Sequence, residues 1–374
     1  MFIESFEAKN FRSLRKLELK DLARINLLVG KNNSGKTSVL EALYLFTGAN
    51  VASWIDHIDN ERRIPVVGFA FLFYRFDSEE QLSIGARIRL SSYSSHLMQP
   101  YDIKVYISAL PSERMVNALP LPGLLEEEKL YRFDNGLNEP IRAIHIVAES
   151  TENPNSGLSS QSYSYQQRWL ERGQRKNEKD RALAKPAFGQ WVGTLMSIPE
   201  LYARIEYLQI RKQEKRIIEI LKLIDPRINK IVLASESAIY FDLGEEFPDL
   251  LPFNLMGDGV QRLLAIIAAI AHTNGAVIEI DEIDNGLHYS ALRILWKGIL
   301  RAAREYDVQI FATTHSAEAL RHLTWVLDDE EFKDYRDDVA AYTLIRAKDD
   351  TVRSYRYNYE QLDFAMEHDM EVRN

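Results

Sequence analysis

Residues 26–45, which read NLLVGKNNSGKTSVLEALYL, constrain the fold of this chain more than any other stretch. An apolar strand is predicted over 25–29, and a helix is predicted from Lys36 because apolar residues then recur at helical spacing. Between them lies G-x-x-x-x-G-K-T, the pattern of a loop that binds phosphate groups when it joins a strand to a helix. The stretch therefore predicts an α/β domain with a phosphate site at the end of this strand.

The residues of this loop are expected to have separate tasks. Gly30 and Gly35 let the backbone curl until its N–H groups face phosphate oxygens, and the following helix presents further unpaired N–H groups. Lys36 would neutralise the β- and γ-phosphates, and Thr37 would bind Mg²⁺ through its hydroxyl. The residues expected to contact the nucleotide are Gly30, Asn32, Asn33, Ser34, Gly35, Lys36, Thr37 and Ser38.

Composition excludes several classes of protein. The 374 residues carry a formal net charge of −9, which argues against a protein that coats nucleic acid over its whole surface. The chain has no cysteine, so disulfides, zinc–thiolate sites and cysteine nucleophiles are excluded. No secretory signal is read at the N-terminus, and the longest apolar run, 263–271, is far shorter than the roughly 20 residues that cross a bilayer. A cytoplasmic protein without membrane contact is the default expectation.

The distribution of apolar residues along the chain predicts two structural parts. Short or alternating apolar runs predict antiparallel strands at 2–9, 15–20 and within 64–147. Residues 151–228 are predicted to be a helical insertion that ends in one long amphipathic helix over 198–224. Predicted strands and helices alternate again after residue 228, so residues 1–150 and 229–374 are predicted to form one discontinuous domain.

The predicted insertion contains a basic segment, 168–185, with aromatic residues in and just before it. Such a mixture can hold a phosphodiester backbone and stack on bases. Glu171, Glu178 and Asp180 dilute its charge, which favours a solvated helical arm over nucleic-acid contact. Gln81 is the candidate for a Mg²⁺-sensing glutamine in the β-rich part, although a solvated residue at a strand end is the simpler interpretation.

A second set of polar residues follows two apolar strands late in the chain. The strand predicted over 276–281 ends in Asp281-Glu282, and the strand predicted over 308–313 is followed by His315. The helix predicted between them gives the spacing of a right-handed parallel crossover. This connection places the ends of both strands at the edge where open α/β sheets bind ligands.

Adjacent carboxylates at that edge can have different tasks. Asp281 would hold Mg²⁺, Glu282 would be the base for the water that attacks the γ-phosphate, and His315 would orient that water. Singly, these residues also fit structural roles, as charges at a helix N-terminus or as a surface histidine. The phosphate loop and the crossover spacing favour the catalytic interpretation. Glu279 lies on the same strand face as Asp281 and would pair with a basic residue or bias the metal site.

These motifs together resemble a known family. NFRS at 10–13, the phosphate loop, a glycine-rich turn at Gly257 and Gly259, IEIDEIDNGLH and FATTHS are similar to the ABC-type ATPase heads of the RecF, SMC and OLD (overcoming lysogenisation defect) group. Within that group the chain most resembles the stand-alone OLD-like ATPases of phage defence and toxin–antitoxin-like operons. The resemblance covers 1–48 and 251–320. It implies an α/β head with a mixed sheet, an N-terminal antiparallel β lobe and a helical insertion, which uses ATP and Mg²⁺.

Heads of this family work as pairs, with ATP held between the phosphate loop of one subunit and the signature turn of the other. The resemblance therefore implies a second copy of this chain as partner, in a dimer or a higher homo-oligomer. Gly257, Gly259 and Arg262 would contact the partner's nucleotide, the loop at 284–288 would cross the interface, and Arg12 would reach the nucleotide. The family usually has serine where Gly257 stands, so that hydroxyl contact is absent.

Larger OLD-type proteins append a TOPRIM nuclease domain after the head, and too few residues follow His315 for such a domain. The expected partner is thus a separate effector chain, either a nuclease such as a TOPRIM protein or a toxin, controlled by ATP-dependent assembly in antiphage defence. Two alternatives remain open. One is a RecF-like DNA-repair ATPase that binds DNA through 168–185, and the other is an ATP-gated scaffold with very slow turnover.

Overall fold

The computed structural model describes residues 2–47, 81–89, 101–110, 143–151, 189–193, 197–273 and 275–373. The basic segment 168–185 lies outside these ranges, as do parts of the region 64–147 in which strands are predicted. Within the described ranges, no helix is both long and apolar enough to span a membrane.

Among the described residues, strands predominate up to residue 151, and strands and helices are interspersed from residue 189 onward. The strands are β1 (Phe2–Phe11), β2 (Leu14–Leu19), β3 (Ile25–Val29), β4 (Leu82–Arg89), β5 (Tyr101–Leu110), β6 (Ala143–Thr151), β7 (Gly189–Val192), β8 (Lys230–Ala234), β9 (Ala238–Asp242), β10 (Leu251–Pro252), β11 (Val277–Ile280), β12 (Gln309–Thr313), β13 (Val339–Arg346) and β14 (Val352–Tyr357). The helices are α1 (Lys36–Thr47), α2 (Ile198–Ile210), α3 (Glu214–Leu221), α4 (Asp258–His272), α5 (Tyr289–Glu305), α6 (Ala317–Asp328) and α7 (Tyr359–Glu367).

A central sheet has the strand order β14-β13-β3-β12-β11-β7. Its strands from β13 to β7 run parallel, and β14 is antiparallel to β13 at one edge. β3, β11 and β12 are buried along their whole lengths, as expected of parallel strands that are covered on both faces. β12 lies between β3 and β11, so the parallel neighbours predicted from the crossover spacing are observed and the ends of these three strands share one edge.

An antiparallel sheet in the order β2-β1-β4-β5-β6 packs beside the central sheet and forms the predicted N-terminal β lobe. Val39, Leu43 and Phe46 of α1 share a buried cluster with apolar residues of β1, β2 and β4. The buried side chain of Gln309 on β12 also links the two sheets, because it forms hydrogen bonds of 2.8 and 2.9 Å with the backbone of Ile3 on β1. The helix that follows the phosphate loop is therefore held inside a core.

The single helix predicted over 198–224 was wrong, since the structure has α2 and α3 with a turn between them. Lys212 takes a left-handed φ of +58° and donates its N–H to the carbonyl of Gln209, while the N–H of Gln213 donates to the carbonyl of Leu208. This pair of bonds is a Schellman ending. The sequence carries neither glycine nor proline at the turn, so nothing in its pattern indicated the break.

The predicted insertion, residues 151–228, includes a strand of the central sheet. β7 pairs in parallel with β11 at the sheet edge. Leu201, Leu208 and Ile217 from the two helices that follow belong to the same buried cluster as the apolar face of α4. Residues 189–193 and 197–221 therefore pack with the body of the fold, and the predicted boundary at 228 does not separate them from it.

Candidate functional site

The structure brings the phosphate loop and the acidic strand end together. Thr37, in the first turn of α1, directs its hydroxyl toward Asp281 Oδ1 at 3.5 Å. The two residues come from separate strand–loop connections, after β3 and after β11. The adjacency follows from the sheet order, because β12 alone separates those two strands and parallel strands place their ends at one edge.

Two glycines of the loop are required by close contacts and by backbone conformation. Gly30 has φ +145°, and a β-carbon there would lie 2.6 Å from the carbonyl oxygen of Leu344 on the neighbouring strand β13. Gly35 has φ +101°, and its β-carbon would lie 2.8 Å from Leu14 Cδ2. Both values lie in the region that glycine adopts readily and other residues do not. The loop can therefore rest against β13 and the β1–β2 turn only with glycine at both positions.

Lys36 is buried, and its ammonium group donates to the carbonyls of Gly30 and Lys31 at 2.8 Å each. Burial lowers the pKa of Lys36 to about 8, while the nearby carboxylates of Asp281 and Glu282 act in the opposite direction. The charge is thus held inside the loop beside the acidic strand end. It is available to a phosphate group that enters the loop.

The acidic strand end is fixed by a residue that the sequence analysis missed, Thr313 at the end of β12. Its hydroxyl donates to Asp281 Oδ1 at 2.7 Å and accepts from the backbone N–H of Glu282 at 2.8 Å. Next to it, Thr314 donates to Asp284 Oδ1 at 2.6 Å. Two threonines that end a buried parallel strand were the available signal, because polar side chains at such an edge face the ligand site.

The donor set at this edge fits Mg²⁺. Thr37 offers a hydroxyl oxygen and Asp281 a carboxylate oxygen, and Mg²⁺ is commonly held by one or two protein oxygens together with waters and substrate phosphates. The described residues contain no cluster of three or more His, Asp or Glu side chains that would suit a metal held by protein alone. Thr37 and Asp281 therefore remain the predicted ligands.

His315 lies two residues after the end of β12, and it is exposed at the same edge. Partial burial lowers the pKa of His315, and the positive charge of Lys36 lowers it further. The backbone at this position is held by Arg373, which donates to the carbonyl of His315 at 2.9 Å and pairs with Glu371 at 2.6 Å. The neutral imidazole is thus the favoured form beside the lysine.

The residues assigned to the signature turn divide into two groups. Gly257 and Gly259 lie at the start of α4, and a β-carbon on Gly257 would meet nothing within 4 Å. Arg262 instead points inward and donates to the carbonyls of Gly193, Asp281 and Glu282. A contact of Arg262 with a partner's nucleotide stays a prediction, since the described partners of its guanidinium are three carbonyls of its own subunit.

The remaining predicted residues lie around the loop. Arg12 forms a buried ion pair with Glu41 of α1 at 2.7 Å, which fixes the β1–β2 turn against the helix. Ser38 shares a hydrogen bond of 2.8 Å with Ser13 of that turn. Asn32 and Asn33 are exposed, whereas Ser34 is buried. A nucleotide contact by Arg12 stays a prediction, since its described partner is the helix carboxylate.

Two further polar residues lie at strand ends, Gln81 just before β4 and Arg346 at the end of β13. The carbonyl of Gln81, at the start of β4, accepts a hydrogen bond of 3.2 Å from the side chain of Asn10. Arg346, at the end of β13, donates to the carbonyl of Asn33 at 3.3 Å. It places a second guanidinium beside the phosphate loop. No sequence motif indicated Arg346, because only the pairing of β13 with β3 brings it there.

Glu279 is fully buried on β11, where its Oε1 accepts a hydrogen bond of 2.8 Å from the hydroxyl of Thr47 at the end of α1. Burial raises the pKa of Glu279 well above the ordinary value of 4.5, so the carboxyl is neutral in the folded protein. Of the two predicted interpretations, a basic partner is wrong, since the described partner is a hydroxyl group.

The protonated state of Glu279 predicts how stability changes with pH. Above about pH 4.5 the unfolded chain releases this proton, while burial favours keeping it in the folded chain. The contribution of this group to stability therefore falls as the pH rises from there towards the folded-state pKa, by at most about 1.4 kcal/mol for each pH unit. Glu279→Gln removes the titration and keeps the shape. We therefore expect the free energy of unfolding of Glu279→Gln to exceed that of the wild type by a margin that widens from pH 5 to pH 7, measured by urea titration.

The exposed Glu318 provides the control, because Glu318→Gln removes a solvated carboxylate. Its free energy of unfolding, measured in the same titrations, shows what exchanging a carboxylate for an amide does at an exposed position. A constant margin for Glu279→Gln would show that Glu279 ionises in the folded state.

Two family models match the chain. One, described as "AAA domain, putative AbiEii toxin, Type IV TA system", matches residues 149–321, and the other, described as "AAA ATPase domain", matches residues 1–82. The two ranges include the phosphate loop, the signature turn, Asp281, Glu282 and His315.

Known proteins are similar to the chain over very different lengths. An ATP/GTP phosphatase of Helicobacter pylori is 24% identical over 346 residues, which make up 88% of this chain and 90% of the relative. The DNA replication and repair protein RecF of Clostridioides difficile is 43% identical over 47 residues, or 13% of either chain.

A solved SMC head, bound to the C-winged helix domain of ScpA, has a TM-score of 0.52 at 14% identity and covers 98% of this chain and 100% of its own. That likeness confirms the fold, an SMC-head-like α/β P-loop architecture with a mixed sheet and antiparallel strands. The two family models, each of which matches less than half of the chain, and the order of the motifs make the chain similar to P-loop ATPases of the AAA/ABC class.

Proposed function

We propose that the chain binds and hydrolyses ATP with Mg²⁺, and that ATP-dependent assembly of its copies controls a separate effector. One observation in particular supports the proposed hydrolysis of ATP. The loop that holds Lys36 and Thr37 meets the strand end that holds Asp281 and Glu282, at the edge where His315 also lies. The name of the Helicobacter pylori relative, ATP/GTP phosphatase, supports the same reaction.

The residues would divide the work as follows. The N–H groups of the loop and the first turn of α1 would bind the phosphates, and Lys36 would exchange its carbonyl partners for phosphate oxygens. Thr37 and Asp281 would hold Mg²⁺, which when bound withdraws negative charge from the phosphate oxygens. Glu282 would accept a proton from the attacking water, and neutral His315 would orient that water by a hydrogen bond.

A second copy of the chain is proposed as the partner that completes the site. The signature turn and the loop at 284–288 lie side by side, because a β-carbon on Gly286 would come within 3.5 Å of Asp258. Two large apolar side chains flank this surface, Leu255 with 69% and Tyr289 with 57% of their area exposed. Exposed apolar groups beside a turn with open space favour a protein partner there.

The effector is proposed to be a nuclease or a toxin used in antiphage defence, as in OLD-like systems. The family model that matches residues 149–321 names a toxin and a toxin–antitoxin system, which supports this assignment. The proposal predicts that the effector is a separate chain whose activity follows the nucleotide state of this one. Co-purification from the native host would supply that chain for an assay with ATP and with ADP.

Mass photometry and phosphate release test the proposal on the purified chain. We expect Mg²⁺-dependent release of phosphate from ATP, and a shift from monomer to dimer or higher assembly with ATP that ADP does not produce. An unchanged mass in every nucleotide would contradict control by assembly. Turnover that rises with DNA in a salt-dependent manner would favour the RecF-like alternative, and assembly without phosphate release would favour the slow scaffold.

Gly257→Ser tests the contact across the interface. The position has φ −61° and ψ +145°, which serine adopts readily, and its β-carbon would meet nothing within 4 Å. A serine hydroxyl there could donate to the partner's γ-phosphate, so we expect the ATP concentration for half-maximal assembly to fall by about tenfold. Gly257→Ala adds the β-carbon without the hydroxyl and is the matched control. Equal effects of the two substitutions would argue against a phosphate at this turn.

A further inference from the structure

Glu282 holds a backbone conformation that glutamate rarely adopts. Its φ is +48°, in the left-handed region, two residues after the end of β11. Such a conformation is strained for a residue with a side chain, and it persists only where surrounding groups fix it. Neighbouring groups must therefore fix the strained backbone of Glu282 at this strand end.

Two side chains from other elements hold the peptide groups on both sides of Glu282. The hydroxyl of Thr313 accepts the N–H of Glu282 at 2.8 Å, and Arg262 donates to the carbonyls of Asp281 and Glu282 at 2.7 and 2.9 Å. Thr313 is 1% and Arg262 is 6% exposed. Bonds shielded from water in this way are stronger than exposed ones, and losing a partner leaves a buried group unsatisfied.

Arg262 also connects this strand end to two other elements. It lies in the second turn of α4, and its third hydrogen bond goes to the carbonyl of Gly193, just after β7, at 2.6 Å. The planar guanidinium therefore joins a helix to the ends of two adjacent strands. Because α4 begins next to Gly257, the position of the signature turn and the position of Glu282 depend on the same helix.

We propose that Arg262 and Thr313 are positioning residues that clamp Glu282 in its left-handed conformation and so aim its carboxylate at the attacking water. The clamp acts through backbone groups and does not touch the nucleotide. This inference rests on the proposed ATP hydrolysis, and it assigns to α4 the task of setting the base.

Substitutions can separate the clamp from general stability. Thr313→Val removes the hydroxyl and keeps the shape, whereas Thr313→Ser keeps the hydroxyl. Arg262→Met removes the guanidinium. The matched controls are Arg204→Met and Thr324→Val. Arg204 on α2 is also 6% exposed and donates to the carbonyl of Trp191, and Thr324 on α6 is 1% exposed and donates to the carbonyl of Arg321.

Hydrogen–deuterium exchange without nucleotide is the first readout, because it needs no hydrolysis. Peptides that contain Glu282 should exchange about tenfold faster or more in Thr313→Val and Arg262→Met, since the strain is no longer held. The same peptides should keep the wild-type rate in Thr313→Ser, Arg204→Met and Thr324→Val.

Steady-state kinetics are the second readout, on variants that keep a cooperative thermal transition. We expect Thr313→Val and Arg262→Met to lower kcat by about 10- to 100-fold and to leave nucleotide affinity within about threefold, because the base is misaimed while the phosphate loop is intact. Thr313→Ser should restore kcat to within about threefold of the wild type.

Several outcomes would overturn the clamp. Thr313→Val with wild-type exchange and kcat would do so, and so would Thr313→Ser with the same loss as Thr313→Val. If Thr313→Val raises the Mg²⁺ concentration needed for hydrolysis and leaves kcat unchanged, Thr313 acts only through its hydrogen bond to Asp281. Equal losses of kcat in Arg204→Met and Arg262→Met would reduce Arg262 to a structural residue. A wild type without ATP hydrolysis would refute the proposed function, and the exchange readout would still decide whether Glu282 is clamped.

Discussion

Glu282→Gln is expected to lower ATP turnover by about 100- to 10,000-fold while ATP affinity changes by less than about threefold. The amide has the size of the carboxylate but cannot accept a proton from the attacking water. Lys36, Thr37 and Asp281, which would hold the triphosphate and Mg²⁺, are left unchanged. Since hydrolysis would end the assembled state, Glu282→Gln should also accumulate the ATP-bound assembly. Phosphate release, fluorescent-nucleotide titration and mass photometry measure the three quantities.

Glu279→Gln is the matched control, because it makes the same substitution three residues earlier in the chain, on β11. Glu279 is already neutral and bonded to Thr47, so its replacement should leave turnover within about threefold of the wild type. Wild-type turnover in Glu282→Gln would remove Glu282 from the role of base. Lost turnover without an accumulated assembly would keep that role and contradict control by assembly.

Gly30→Ala is expected to destabilise the protein by about 2–4 kcal/mol and to weaken ATP binding by tenfold or more. The new β-carbon would lie 2.6 Å from the carbonyl of Leu344 and 2.8 Å from Ser34 Oγ, and φ would be +145°. The contact with Leu344 cannot relax cheaply, because it is made by the backbone of a strand that pairs with β3. Urea unfolding and nucleotide titration measure the two effects.

Gly259→Ala is the control for stability. Gly259 lies in the first turn of α4, its β-carbon would meet Leu287 Cδ2 at an ordinary 3.5 Å, and alanine favours helix over glycine by up to about 1 kcal/mol. Its free energy of unfolding should match or exceed that of the wild type. If both substitutions destabilise the protein equally, the close approach of β13 is not what requires glycine at Gly30.

The parts of the site that carry chemistry could be recognised in the sequence because each is a local pattern. A phosphate loop needs its glycines, lysine and threonine within eight consecutive residues, since one turn of backbone must surround the phosphates. An apolar strand that ends in two acidic residues is equally local. Strand periodicity also sufficed for β3 and β12, whose observed bounds differ from the predicted ones by a residue or less, and helical periodicity placed the start of α1 at Lys36, as observed.

Contacts between distant segments were decided by the tertiary structure alone. Thr313 and Arg262 hold the peptide groups of Asp281 and Glu282, and Arg346 lies beside the loop, because the strand order places residues from separate elements at one edge. The spacing of these residues along the sequence does not indicate which strands are neighbours in the sheet. The turn at Lys212 and the inward direction of Arg262 depend likewise on packing, which overrides local preference when burial gains exceed a small conformational cost.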